Sequence, residues 1–536
     1  MHPFFMKKSQ KQFELAQQWM QSGNFPKVIE ILCKLIEASP ESVPYLLLRG
    51  EAYLRAEQYE LALVDLAKVV QEDNKNIRGL NNFGVALIRT HKHRDAKEIY
   101  EYLLELQPDN FDACINLGNI HQALFQSQEA LNVAVKASAL RPTAGIAYNN
   151  LGSALGDLNH IEEAKEAYIT ANALDPSYVP AYINLAQLQE KSGNRTASRD
   201  LYEKVLLLKN ISPGEAELVK YYLAYSYLFF GDLKKGWLHY DFGFGPLLPI
   251  GAIRSLRKFK QPRWNGEAIP GKRLLIWREQ GLGDEIEFST CLPDVADLGI
   301  NVVLECETRL IPAFKRTFPD WEVRQELVSA NEFPLLDDFD FHCPIGSLPG
   351  IFRNDINQFH SKINVLRPQD TLKEKFSEVF QPYKNKLLVG ISWRGGKLSV
   401  LRNHNYTGLI DWKEILQLSH CQFVNLQYGD CEAELCEVEE LLNIKILRWS
   451  DLDLKNDLES VMALISNLDH VVSVGTAVGS IAPALGIPTI LLTLRNWMLL
   501  GQEETYPWFS CVTPLIAETG EEVSTQLKNV PHLLKP

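Results

Sequence analysis

The chain has 536 residues, a net charge of −13, 46% hydrophobic and 23% charged residues. This is a globular balance with length for several cores, and the acidic excess argues against a general nucleic-acid binder, which needs a basic face. Nine scattered cysteines with no C-x-x-C pair argue against a disulfide framework and for reduced thiols in a cytoplasmic protein.

In chain order, Met1 to Lys11 lacks an apolar run long enough for a signal peptide. A periodic region follows. Gly50, Gly84, Gly118 and Gly152 stand 34 residues apart, with Ala16 opening the series and Ala186 continuing it. Ala62, Ala96, Ala130 and Ala164 repeat at the same interval, and so do Pro40, Pro108, Pro142 and Pro176, with Asn74 in the missing place. In a helix–turn–helix unit, the small residue of the first helix admits the second, the alanine sits at their crossing, and the proline closes the unit. These positions, recurring in phase, resemble the tetratricopeptide repeat. The expectation is an α-solenoid over residues 1–242, with about six regular repeats and an altered end repeat from Tyr221 to Tyr240. Such stacks offer a concave face to a peptide or partner protein. Asn149, Asn150 and Asn184 on first helices are either exposed amides that grip an extended backbone or solvent-facing fillers.

A linker over 243–271, with Gly245, Pro246, Pro249, Pro262 and Pro270, changes the pattern to strands alternating with helices. The first series runs through Arg273–Trp277, Asn301–Glu305, Glu322–Val323 and Phe339–His342. The second runs through Leu387–Ser392, Gln422–Gln427, Lys445–Arg448, His470–Val474 and Pro488–Leu492. This alternation predicts parallel sheets in two Rossmann-like lobes, over 272–384 and 385–536, with a cleft between them. Val471 to Leu494 carries no charge, yet its glycines and prolines read as strand, turn, short helix and strand, so no membrane span is expected.

Ligands of open parallel sheets sit outside the carboxyl ends of the strands, where three loops stand out. Glu279-Gln280-Gly281-Leu282-Gly283-Asp284 opens a helix, with Asp284 either facing the cleft or capping that helix. Ser392-Trp393-Arg394-Gly395-Gly396-Lys397 sets two cations beside a glycine pair, either a diphosphate clamp or a solvated surface. Val474-Gly475-Thr476-Ala477-Val478-Gly479-Ser480 is either an anion site at a helix start or a close-packed strand–helix turn.

Together with Gln261-Pro262-Arg263-Trp264-Asn265-Gly266-Glu267, His342-Cys343-Pro344, Ser347-Leu348-Pro349 and Phe423-Val424-Asn425-Leu426-Gln427, these loops resemble the heptosyltransferase-type bacterial glycosyltransferases of GT-B fold. The resemblance is stronger still to the bacterial proteins that fuse such a module to tetratricopeptide repeats, similar in outline to protein O-GlcNAc transferases. It implies an inverting, metal-independent transfer of a sugar from a nucleotide-sugar to a protein or glycan acceptor recruited by the repeats. Asp284 then matches the base that deprotonates the acceptor hydroxyl, with Gln280, Gly281 and Gly283 as the acceptor-side loop. Arg394 and Lys397 match the cations on the leaving diphosphate, Gln427 and Tyr428 border the nucleotide, and Gly475, Thr476 and Ala477 match the diphosphate turn. No cofactor or metal is implied. Relatives carry Asp at the Gly475 position and His at the Ser480 position. That departure keeps open a second reading, a silent repeat scaffold with a degenerate transferase-like platform.

Overall fold

The structure, a computed structural model, describes residues 3–245, 257, 259–327, 337–359, 364–395, 406–518 and 520–535. The chain divides into two compact units, Met1–Leu201 with Leu208–Asn210, and Tyr202–Leu207 with Ile211–Pro536.

The first unit is a row of helix pairs, such as Val43–Arg55 with Tyr59–Glu72 and Ile77–Arg89 with His93–Leu106. Within each pair the turn is made by a residue in the left-handed region, and these residues recur every 34 positions: Gly23, Glu57, His91, Phe125, Asn159 and Gly193. The next N–H then bonds back to the helix, Gln58 to Tyr53 and Lys92 to Leu87, both at 2.9 Å. That closes carbonyls which a helix end leaves open.

Packing inside a pair follows from the glycines. A Cβ on Gly84 would stand 2.5 Å from Tyr100 Cε2, and one on Gly152 would stand 2.8 Å from Tyr168. Each glycine therefore makes room for the tyrosine ring that the second helix presses against it. Sixteen residues after Gly118, where the other two units carry tyrosine, stands the small buried Ala134, and a Cβ on Gly118 would meet nothing nearer than Asn150 Nδ2 at 3.8 Å. The alanine series, Ala62, Ala96, Ala130 and Ala164, is buried at the crossings.

Neither sequence reading of the asparagines holds. Asn149 and Asn150 are only 7% and 6% exposed. Asn184 donates to Asn149 at 2.9 Å, and Asn150 donates to Asn119 at 2.9 Å. These amides are consumed by one another, as buried polar groups must be, and form a ladder running across successive first helices.

The second unit opens with the altered repeat, helices Pro213–Phe229 and Leu233–Tyr240. Its grouping with the α/β part, rather than with residues 1–201, has a packing cause. Trp237 Nε1 donates to the Arg353 carbonyl at 3.0 Å. The Tyr225 and Trp497 rings lie 5.1 Å apart, and a Cβ on Gly231 would stand 3.1 Å from the Leu500 carbonyl.

Two parallel sheets follow. The first contains β1 (Arg273–Trp277), β2 (Asn301–Cys306), β3 (Glu322–Gln325) and β4 (Phe341–Pro344) in the order β3-β2-β1-β4. The second contains β5 (Leu387–Ser392), β6 (Cys421–Asn425), β7 (His470–Val474), β8 (Thr489–Leu494) and β9 (Val512–Ala517) in the order β6-β5-β7-β8-β9. Every pairing is parallel, for instance Arg273 with Asn301 and Val389 with His470. The expected strand at Lys445–Arg448 shrinks to one bridge, Leu447 with Val424. β9 was not expected, because Pro514 interrupts its pattern; proline is tolerated there since β9 is an edge strand. The entry segment also has a place: Arg263 bridges His342, and its guanidinium reaches Ser347 Oγ at 2.6 Å and Asp241 at 2.7 Å.

The uncharged stretch Val471–Leu494 forms β7, the helix Ala477–Ala484 and β8. Among the described residues no helix is long and apolar enough to cross a membrane.

Candidate functional site

All three loops lie at carboxyl ends of parallel strands, β1, β5 and β7, with a fourth after β6. The loop after β1 leads into the helix Leu282–Phe288, for which Gly281 is the N-cap. Asp284 is then the third helical residue, and its carboxyl accepts the Gly281 backbone N–H. It is partly exposed. Burial raises its pKa above the usual carboxylate value, while the backbone N–H groups of Gly281 and Asp284 oppose that rise. The N-cap is therefore Gly281 and not Asp284, whose carboxyl sits in the first turn and reaches back to the N-cap N–H. Gln280 is fixed from outside the loop, since its Nε2 bonds the hydroxyl of buried Tyr240. Next to it, Arg278 pairs with buried Glu285 at 3.1 Å and with Glu307 at 3.2 Å. Burial pushes Glu285 up to about 7, against the attraction of Arg278.

After β5, the chain is held by Gln427. This buried side chain accepts the backbone N–H groups of Trp393 at 3.1 Å and Arg394 at 3.0 Å, and donates to the Tyr428 carbonyl at 2.9 Å. Gln427 thus builds the loop and is spent on it. The Arg394 guanidinium donates to the Asp430 carbonyl at 2.7 Å and pairs with Glu434 at 3.3 Å. Glu434 in turn accepts the Leu409 N–H at 2.8 Å. Arg394 is therefore engaged by neighbouring loops of its own sheet. Lys397, the other cation expected here, lies outside the described residues.

The turn after β7 divides into two parts. Gly479 is a packing glycine, whose Cβ would stand 3.2 Å from both Leu491 and the Val474 carbonyl. Gly475 is exposed, and a Cβ there would meet open space. Thr476 is the N-cap of the helix Ala477–Ala484 but makes no side-chain cap bond. Its hydroxyl lies instead 3.0 Å from Ser473 Oγ and 3.4 Å from Ser392 Oγ. That chain of hydroxyls joins the carboxyl ends of β5 and β7.

The helices after β1 and β7 face one another. A Cβ on Gly283 would stand 3.4 Å from Ser480 Oγ, and Ser480 donates to Glu287, so the two helices pack directly against each other. Arg394 and Gln427 sit after β5 and β6, and Ser392 lies between Gln427 at 3.5 Å and Thr476 at 3.4 Å. Sequence reasoning missed Glu287, which accepts a hydrogen bond from Ser480 at 2.9 Å, and Tyr506, whose hydroxyl turns to the same carboxyl. Glu287 had a signal, three residues after Asp284 on one helical face. Tyr506 had none, because its loop after β8 carries no pattern. Among the described residues no group of three or more His, Cys, Asp or Glu side chains is disposed to hold a metal ion.

The solenoid has relatives among known proteins. The tetratricopeptide-repeat family pattern matches residues 146–178 and 179–211. The chain is similar to Protein FlbA of Caulobacter vibrioides, 33% identical over 322 residues, which are 57% of this chain and 53% of that protein. That match is longer than the first unit and so extends into the second. It is also similar to RNA polymerase II-associated protein 3 of Mus musculus, 28% identical over 129 residues, 24% of this chain and 20% of that protein. Among solved structures, MamA of Desulfovibrio magneticus RS-1 matches 29% of this chain and 89% of its own, at 24% identity and a TM-score of 0.28. The chain spans about half the length of FlbA and a fifth of the mouse protein. The first unit is a tetratricopeptide-repeat solenoid, and the second is an α/β unit of parallel sheets.

Proposed function

We propose that this protein is a glycosyltransferase of GT-B type, with an α/β unit that transfers a sugar from a nucleotide-sugar and a solenoid that recruits the protein or glycan acceptor. The observation that supports it best is the packing of the helix Leu282–Phe288, which bears Asp284, against the helix Ala477–Ala484, which brings the loops after β1 and β7 of two parallel sheets together. A base on the first sheet and a helix start with unpaired amides on the second are what an inverting, metal-independent transfer needs. Asp284, with its raised pKa, takes the acceptor hydroxyl proton. The amides at Ala477 receive the leaving diphosphate.

A second reading, a silent platform on a repeat scaffold, is favoured by Arg394. Its guanidinium is bound to Glu434 and the Asp430 carbonyl, so a diphosphate must compete with an existing pair. The two readings separate when the full chain is incubated with UDP-, GDP-, ADP- and CMP-sugars and nucleotide release is followed. The transferase releases nucleotide from one donor, and Asp284→Asn lowers that rate by at least about 100-fold, the scale of general-base catalysis. Silence toward every donor, or an Asp284→Asn variant as fast as the parent, refutes the assignment of Asp284.

A further inference from the structure

Glu287 joins elements of both sheets. It lies one helical turn after Asp284 and is 4% exposed. Its Oε1 accepts the hydroxyl of Ser480, on the helix after β7, at 2.9 Å. The other oxygen, Oε2, is buried without a closed hydrogen bond among the described residues, although the Tyr506 hydroxyl faces the carboxyl from the loop after β8. The ionisable groups around it are few. Asp284 on its own helix is of like charge, Tyr506 is held neutral by burial, and the helix Ala477–Ala484 carries no ionisable side chain. An ionised carboxylate needs several donors in such a place, and among the described residues no cation acts on this one; the neutral acid fits what surrounds it.

We propose that neutral Glu287 is a latch between the two sheets and a positioning residue for Asp284, and that loss of its proton opens the latch. Once ionised, the side chain carries a buried charge beside Asp284. The helices Leu282–Phe288 and Ala477–Ala484 then part, and the loop that bears Asp284 loosens. The latch rests on the sugar-transfer reading for its purpose, a helix contact closed at neutral pH and relaxed in alkali, but not for its existence.

Burial is the main cause pushing Glu287 up to about 8, and Asp284 adds to it while Ser480 and Tyr506 pull back. The unfolded chain gives up this proton near the ordinary value of 4.5, whereas the folded one keeps it to about 8. Stability from this group is therefore lost as pH rises between those values.

The test uses the full chain, with Glu287→Gln, which keeps a neutral side chain and an acceptor for Ser480. Amide exchange of residues 279–288 and 476–485, corrected for intrinsic rate, is followed from pH 6 to pH 9 together with thermal melting. The parent is expected to exchange about tenfold faster or more at the higher pH and to melt lower, while the variant matches it at pH 6 and stays flat. Equal pH dependence in the two proteins overturns the proposal. If Glu287→Gln does not fold, Ser480→Ala replaces it: removing the donor that favours the ionised form must steepen the loss of protection with pH, and an unchanged profile overturns the latch. No nucleotide-sugar enters these measurements, so a failed transfer assay leaves the latch standing or falling on its own pH profile.

Discussion

The solenoid and the α/β unit are held together by different kinds of contact. In the solenoid one kind of contact recurs: a first-helix glycine admits Leu66 at Gly50, Tyr100 at Gly84 and, 68 residues after Gly84, Tyr168 at Gly152. In the second unit the decisive contacts occur once. Arg257 meets Glu305 at 2.5 Å with both side chains fully buried, and the turn at Gly231 packs against Gly501 with room for no side chain between them. A solenoid can therefore lose one contact and keep copies of it elsewhere, while in the second unit the fully buried Arg257–Glu305 pair is backed only by the longer contact of Arg257 to Glu326 at 3.7 Å among the described ion pairs.

This difference sets the order of expected effects. Glu305→Gln leaves Arg257 and Arg324 without their shared buried carboxylate; the expected loss is about 3–5 kcal/mol. Urea unfolding read by tryptophan fluorescence reports it, since nine of the ten tryptophans lie in the second unit. A loss below about 1 kcal/mol would mean that Glu326, Asp338 and Glu322 take over from Glu305. Next come Gly84→Ala and Gly152→Ala, each expected to destabilise by about 1–3 kcal/mol through overpacking. Their losses, followed by helical circular dichroism, should agree; widely unequal values break the claim that the contact repeats. Gly118→Ala should do the reverse and stabilise by about 0.5–1 kcal/mol, because its Cβ meets only Asn150 Nδ2, at an unstrained 3.8 Å, on a helix. The smallest effect concerns Phe125, which is 93% exposed with a φ of 57°. Glycine stands at the equivalent positions 23 and 193. Phe125→Gly should relieve left-handed strain and gain about 0.5 kcal/mol, and a loss instead would show that the ring makes a contact of value.

The same contrast explains what could be read without coordinates. The repeat announced itself through residues in phase, and Gly50, Ala62 and Pro40 each have a job that the residue type alone suggests. The left-handed turn was missed although it is just as periodic, because Glu57, His91, Phe125 and Asn159 share no chemistry, only a backbone angle. The asparagines misled for a related reason: polarity suggests exposure, and nothing local says that Asn149 will find Asn184 35 residues away. In the second unit the strands were readable from short apolar runs, whereas β9 hid behind Pro514. Loop residues were located but not their partners. Arg394 reads as a free cation until Glu434, 40 residues on, is brought to it, and Ser480 reads as a lost histidine until Glu287 appears 193 residues earlier.

The proposal to be broken first is that the loops after β1 and β7 together hold a nucleotide-sugar. Thermal melting of the full chain, read by tryptophan fluorescence across UDP-, GDP-, ADP- and CMP-sugars, tests it most directly. One donor at roughly 100 times its Kd should stabilise the second unit by about 2.7 kcal/mol and leave the helical signal of the solenoid unchanged. A melting temperature unmoved by every donor at saturating concentration contradicts the assignment and leaves the repeats as the binding part of the molecule.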